Sequence, residues 1–246
     1  MATTQPNLEQ ALAAIAETKL LGILYDLDGT LVNTDPLHFQ VWQAMLREYG
    51  LDIDEAFYQA KISGRLNPAI VQDLLPHLPP LQQQQFIEQK EARFREQAPQ
   101  LTPLAGLMKL LQWATEQGLK QGVVTNAPPE NVHHVLRSLH LEKAFDQVVI
   151  ADILGIGKPD PAPYTHALKQ FDLSPKQALA FEDSPSGIRS AVGAGILTIG
   201  IATSYDPQTL YALGATLVIP DFTAPALWEL LEKTSTESRD EALNNL

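Results

Sequence analysis

Asp26 and Asp28 stand one residue apart at the end of an apolar run, Leu20 to Tyr25 (LLGILY), and a Gly29-Thr30 turn follows them. In an extended chain, residues two apart project to the same side, and two such carboxylates repel unless a cation or a proton separates them. Taken alone, the Asp-Gly pair also describes a solvated turn closing a β-hairpin. Three later stretches favour a chemical reading. Thr125-Asn126-Ala127 closes a short apolar run (VVTNAP), offering a hydroxyl and backbone N–H groups, although Thr125 by itself is an ordinary β-branched strand residue. Lys158 lies between a flexible glycine and a stiffening proline in GIGKPDP, where most loop lysines would be solvated but one held this way can neutralise an oxyanion. Glu182 and Asp183 follow Ala178 to Phe181 directly. Ser184 as a helix cap with Pro185 in the first turn explains the Ser-Pro pair but not two adjacent acids at the end of a buried strand. Asp26, Asp28, Glu182 and Asp183 together form a hard oxygen set suited to Mg²⁺, which would also relieve their repulsion. With Lys158 and Thr125 facing the same volume, the set is the one needed for attack on a phosphoryl group.

The elements that must position these residues alternate. The unbroken apolar character of Leu20 to Tyr25 suits a central parallel strand covered on both faces. Further strands are expected at Gly122–Thr125, Gln147–Ala151, Ala178–Phe181, Leu197–Ile201 and Thr216–Ile219. Helices are expected between them at Leu104–Gln117, Glu130–Leu139, Pro161–Phe171, Ser186–Ala194, near Pro207–Leu213, and at Ala224–Leu231. Such alternation predicts a right-handed parallel α/β sheet, and ligands of open α/β sheets gather at the carboxyl ends of the strands. Between the first two strands the texture is all helical: His38–Tyr49, Glu55–Lys61, Pro68–Leu75 and Leu81–Gln97, separated by turn signals such as Ser63-Gly64 and Asn67-Pro68. Asn7–Thr18 reads as a short amphipathic helix. The domain division expected is an α/β core of residues 1–33 and 102–232, a helical insertion of residues 34–101, and a flexible tail of residues 233–246.

Composition removes several function classes. The net charge of −12 disfavours nonspecific binding to nucleic acid or to an anionic membrane, so an anionic substrate needs local compensation from a metal or placed lysines. With no cysteine, there is no disulfide, thiolate chemistry or Cys-based zinc site. Residues 1–18 carry no Lys or Arg and no continuous apolar segment, unlike a secretory signal, and the default location is cytoplasmic. A monomer is the plain default for this architecture.

DLDGT, the Thr-Asn after the second strand, the GKPDP lysine and the EDSPSG acids, in that order and spacing, resemble the four motifs of the haloacid dehalogenase-like superfamily of phosphotransferases, over about Leu20 to Ala224. The resemblance implies a Rossmann-like parallel core with an inserted helical cap, hinged near Val32 to Asp35 and Pro99 to Pro103. It also implies an enzyme that uses Mg²⁺ and an aspartyl-phosphate. By the same resemblance Asp26 is the nucleophile and Asp28 the general acid and base. Thr125 and Asn126 hold the phosphoryl oxygens, and Lys158 balances the charge on Asp26 and the phosphate. Asp26, Asp183 and the Asp28 carbonyl bind the metal, with Glu182 a ligand or its hydrogen-bonded neighbour. Gly29 and Thr30 complete the phosphate loop.

NTDPLHFQVW is similar to the subgroup containing β-phosphoglucomutase, which puts His38 at a cap histidine near the counterpart of Asp28, and Lys90, in QKEARF, aligns with a cap lysine that faces the substrate. Outside that resemblance, His38 reads as an ordinary helix histidine and Lys90 as a solvated charge. The loop ISGRLNP departs from the mutase pattern: the arginine expected three residues after the glycine is Asn67 here, and Arg65 follows Gly64 directly. Thr30 also resembles the phosphatase members. The expected activity is therefore hydrolysis of a small phosphate ester, a sugar phosphate first. The alternatives are phosphoryl transfer within glucose 1-phosphate and a catalytically silent binding protein, which the intact acidic cluster argues against.

Overall fold

The computed structural model describes residues 9, 11–13, 15 and 19–233. The expected helix at Asn7–Thr18 lies partly outside them, and the expected tail lies outside them beyond Lys233.

Six short, apolar runs form one parallel sheet. In chain order they are β1 (Gly22–Tyr25), β2 (Lys120–Thr125), β3 (Gln147–Ile150), β4 (Ala178–Glu182), β5 (Leu197–Ile201) and β6 (Leu217–Ile219), arranged spatially as β3-β2-β1-β4-β5-β6. All neighbouring pairs are parallel, so β1 closes no hairpin. Strands this buried must be apolar on both faces. Ile23, Tyr25, Val123, Leu179 and Phe181 face one core cluster, while Leu24, Val124 and Ala180 face another built with Tyr164, Ala167 and Leu168. The chain runs from β1 outward to β3, then returns to lay β4 on the other side of β1. That reversal places a crevice at the carboxyl ends of β1 and β4.

Five helices lie between β1 and β2: α1 (Asp35–Arg47), α2 (Glu55–Lys61), α3 (Asn67–Leu74), α4 (Pro80–Gln97) and α5 (Leu107–Glu116), the first four within residues 34–101. The helix α1 starts a turn earlier than apolar spacing suggests, because Asp35 and Pro36 are favourable first-turn residues, and residues 48–50 form the turn that ends it. Pro80 likewise belongs to the first turn of α4 rather than to the preceding loop. The helices after β2 are α6 (Pro129–Ser138), α7 (Ala151–Leu154), α8 (Ala162–Phe171), α9 (Pro185–Gly193) and α10 (Pro207–Ala212). Residues 225–233 are also helical. Among the described residues no helix is long and apolar enough to cross a membrane.

Candidate active site

Register alone brings two acids together. Tyr25 pairs with Phe181 across β1 and β4, and Asp26 N–H continues the ladder to Phe181 O at 3.0 Å, so Asp26 and Glu182 become neighbours at the strand ends. Both continue the sheet face carrying Leu24 and Ala180, which is also the face of Tyr164 on α8. Lys158, 5% exposed, enters from the loop before α8 and donates to Asp26 Oδ1 and to Glu182 Oε1, each at 2.5 Å, and to Val124 O at 2.7 Å. Tyr164 O–H donates to the same Glu182 oxygen at 2.6 Å. The Lys158-Pro159 peptide is cis.

Asp183 completes the acidic set. Asp26, Glu182 and Asp183 each offer an oxygen within 4.8 Å of the others. Two glycines make the crowding possible. A Cβ on Gly29, whose φ of +84° also favours glycine, would lie 2.1 Å from Asp183 Oδ2. A Cβ on Gly187 would lie 1.7 Å from Glu182 Oε2. Burial raises Asp26 to about 8, with the Glu182 charge adding to the rise and Lys158 opposing it. Burial, then the Asp26 charge, also raises Asp183 well above the usual carboxylate range. Lys158 goes up, because its two carboxylates outweigh its own burial. Three buried acids against one lysine leave excess negative charge, and Glu182 Oε2 is buried with no hydrogen-bond partner. An oxygen-only, electron-rich set of this kind fits a hard divalent cation.

Asp28 departs from the expectation that its carboxylate joins this set. The chain bends at Leu27, and the Asp28 side chain turns toward the inserted helices. It accepts from Thr34 Oγ1 at 2.6 Å and lies 3.7 Å from His38 Nε2. Lys90 Nζ approaches His38 Nδ1 at 3.0 Å; an ammonium only donates, so Nδ1 accepts and the ring proton sits on Nε2, facing Asp28. Burial pushes the Asp28 pKa up, but hydrogen bonding and charge from His38, the Thr34 bond and the Lys90 charge together hold it below its usual value. His38 stacks on Phe94 with ring centroids 3.9 Å apart. Lys90 is buried rather than solvated, bonded to Glu91 and lying over Trp42.

The other expected residues divide. Thr125 is buried, and its Oγ1 accepts from Ala127 N–H at 2.9 Å, which leaves the hydroxyl proton free to donate. The Asn126 side chain does not point a donor at the cavity. It accepts from Lys158 N–H at 3.0 Å and donates to Lys158 O at 3.2 Å, fixing the lysine's backbone. Gly29 and Thr30 are absent from the cavity wall: Gly29 supports Asp183, and Thr30 is fully buried with an unpartnered Oγ1. Arg65 lines the cavity, but its guanidinium donates to Lys61 O at 2.7 Å and to Asp73 at 2.6 Å.

The cavity lies between the strand ends and the inserted helices, with Asp26, Asp183, Lys158 and Thr125 on its floor and His38, Trp42, Lys90 and Glu91 opposite. Glu91, Asn67 and Asn131 were missed in the sequence, since nothing in a polar helix or an Asn-Pro turn marks them as cavity residues. The insertion also touches the core directly, through Ser186 Oγ donating to Gly64 O at 2.6 Å and Gln59 Nε2 donating to Ser204 O at 3.0 Å.

Residues 23–201 match the family model described as haloacid dehalogenase-like hydrolase. A phosphorylated carbohydrates phosphatase of Thermotoga maritima is 31% identical over 217 residues, covering 85% of this chain and 99% of that protein. The β-phosphoglucomutase of Bacillus subtilis is 26% identical, covering 80% and 88%. Among solved structures, CbbY from Rhodobacter sphaeroides in complex with phosphate superposes with a TM-score of 0.74 at 26% identity, covering 82% of this chain and 95% of that one.

Proposed function

The chain belongs to the haloacid dehalogenase-like hydrolases, and on that premise we propose that it is a Mg²⁺-dependent phosphatase of a small phosphorylated sugar, working through an aspartyl-phosphate on Asp26. In this reading residues 34–101 act as a cap over the core of residues 1–33 and 102–232.

The observation that carries the mechanism is the divergence of the two DLD aspartates: Asp26 is held by Lys158 beside the acidic cluster, while Asp28 is held by Thr34 and His38. Two carboxylates in different surroundings can do different work. Asp26 Oδ attacks phosphorus, and the bond from phosphorus to the ester oxygen breaks. Lys158 and the Thr125 hydroxyl meet the charge on the phosphoryl oxygens. Asp28 gives its proton to the departing alkoxide and then, as a carboxylate, takes one from the water that hydrolyses the aspartyl-phosphate, a contribution of roughly 10²- to 10⁴-fold. The partners of Asp28 favour the ionised form needed for the second step. An adjacent phosphoryl dianion raises its proton affinity and so supplies the acid for the first. Mg²⁺, held by Asp26, Asp183 and the Asp28 carbonyl with Glu182 behind them, would neutralise the excess charge and orient the phosphoryl group. His38 and Lys90 are the cap residues proposed to face the substrate, while Arg65, the candidate for a second phosphate grip, keeps its guanidinium on Asp73 and Lys61.

The test is one incubation with Mg²⁺ on a panel of sugar phosphates including β-glucose 1-phosphate, with a trace of glucose 1,6-bisphosphate, following free phosphate and glucose 6-phosphate. Phosphate release that EDTA abolishes is the expected result. Rapid isomerisation with little free phosphate would overturn it in favour of a mutase, and no turnover of any ester would leave a binding protein.

A further inference from the structure

Glu91 sits in a polar helical stretch, QKEARFREQ, whose composition describes a solvated surface. In the fold it is 5% exposed and on the cavity wall. Both oxygens are taken by protein donors. Oε1 accepts from Lys90 Nζ at 2.9 Å and from Asn67 Nδ2 at 2.6 Å, and Oε2 accepts from Asn131 Nδ2 at 2.5 Å. A carboxylate so engaged has little left for substrate hydroxyls.

Its partners come from three places. Asn67 opens α3, Lys90 is its neighbour on α4, and Asn131 belongs to α6 of the core, a few residues beyond Thr125 and Asn126. Asn131 is itself oriented by Arg95, which donates to its Oδ1 at 2.8 Å, so α4 grips α6 at two points. On the other side, Lys90 passes the arrangement to His38 and so to Asp28. Removing Glu91 would leave a buried ammonium without its carboxylate, and the carboxylate that Lys90 reaches next, through the His38 ring, is Asp28.

We infer that Glu91 is a positioning residue that ties seating of the cap on the core, through Asn131, to the orientation of the Asp28 carboxylate, through Lys90 and His38. The inference rests on the assignment of Asp28 as proton donor to the leaving group. The cap is then held in its seated position by the same carboxylate that arranges the acid, and Asp28 is fully aligned only when Asn131 is engaged.

A donor to the leaving group matters for alkyl esters and hardly at all for an ester whose leaving group departs as a stable anion. The full chain with Mg²⁺ is therefore assayed with glucose 6-phosphate and with p-nitrophenyl phosphate. The first turnover is followed, because Asp28 also serves the later hydrolysis. Asp28→Asn is the control and should discriminate strongly between the two esters. Glu91→Gln and Asn131→Ala should slow transfer from glucose 6-phosphate by about tenfold or more at little change in KM, while the nitrophenolate burst stays within about twofold. Equal loss on both esters, or loss on neither, would overturn the inference. If Glu91→Gln does not fold, Asn131→Ala, which removes the two side-chain hydrogen bonds from a core helix to α4 and buries no charge, carries the same comparison. Should Asp28→Asn itself fail to discriminate, the assignment of the acid is wrong and the link falls with it; discrimination by Asp28→Asn alone condemns only the link.

Discussion

Asp26 and Glu182, adjacent across the β1–β4 ladder, share the single ammonium of Lys158 at equal distances of 2.5 Å. Neither carboxylate has another cation among the described residues, so the lysine holds both the fold's crevice and Asp26, the proposed nucleophile. Lys158→Met should lower turnover by roughly 10²- to 10³-fold. It should also lower the unfolding free energy measured in EDTA by about 3–5 kcal/mol, since it strips two buried carboxyl groups of their one cation and forces them to stay unpaired or take up protons. Urea unfolding in EDTA checks the second figure; a variant as stable as the parent would show that the acids are solvated.

Asp183 adds negative charge that only a cation or a proton can relieve. In EDTA, Asp183→Asn should be at least as stable as the parent, because it removes a repelling group. With Mg²⁺ at about 100 times its dissociation constant, the parent should gain about 2.7 kcal/mol and the variant much less. Thermal melts with and without Mg²⁺ separate the two. Equal shifts for both proteins would mean that the ion binds elsewhere.

Arg65 is a cavity residue tied down by Asp73. Arg65→Ala should therefore change kcat/KM for a sugar monophosphate by no more than about threefold, the scale of an exposed ion pair. Freeing the guanidinium with Asp73→Ala should tighten binding of a bisphosphorylated sugar, read as a lower inhibition constant in the monophosphate assay. A large loss on Arg65→Ala would mean instead that the arginine leaves Asp73 to grip the substrate.

Glu91 sets an acid limb of stability. Burial pushes its pKa up, but Lys90, His38 and Asn131 bring it below 4.5. The native state thus binds fewer protons than the unfolded chain just below that pH. The stabilisation is present above 4.5 and is lost as pH falls through the native value. Glu91→Gln should cost about 3 kcal/mol at pH 7. The gap to the parent should narrow as pH falls below 4.5 and through the native value, where the parent loses its ionised carboxylate. Urea midpoints measured in steps from pH 7 down through the acid range give the answer, and a gap that stays constant throughout would rule out an ionised Glu91.

What the sequence disclosed follows from where each residue sits. Asp26, Thr125 and Glu182 end apolar runs, and Lys158 lies in a Gly-Pro frame, so strand order and the rule of ligands at carboxyl ends suffice to collect them. The sheet and its inserted helices were legible for the same reason. Asp28 was harder: alternation put it beside Asp26, but the chain leaves extended geometry at Leu27, and its carboxylate finds Thr34 and His38 instead. Glu91 was illegible because its partners Asn67 and Asn131 lie 24 and 40 residues away on other helices, and burial of a polar helix face depends on which surface it meets. Asn126 was assigned a phosphoryl oxygen; only the fold shows its amide spent on the Lys158 backbone.

That amide divides the site into two mechanical halves. By donating to Lys158 O and accepting from Lys158 N–H, Asn126 imitates a β-ladder rung and fixes the lysine loop to β2. The charge-bearing half, Asp26, Lys158, Glu182 and Asp183, is therefore built from the core alone, and on the proposed cap reading it would keep its geometry as the inserted helices moved. The partners of Asp28 belong to the other half, since Thr34 caps α1 and His38 and Lys90 lie on α1 and α4. An arriving ester would thus meet a standing receptor for its phosphoryl group, and the cost of reorganising those dipoles would already have been met when the protein folded. Only the proton-handling apparatus would wait for the lid, so an open enzyme could hold its substrate without being committed to cleaving it.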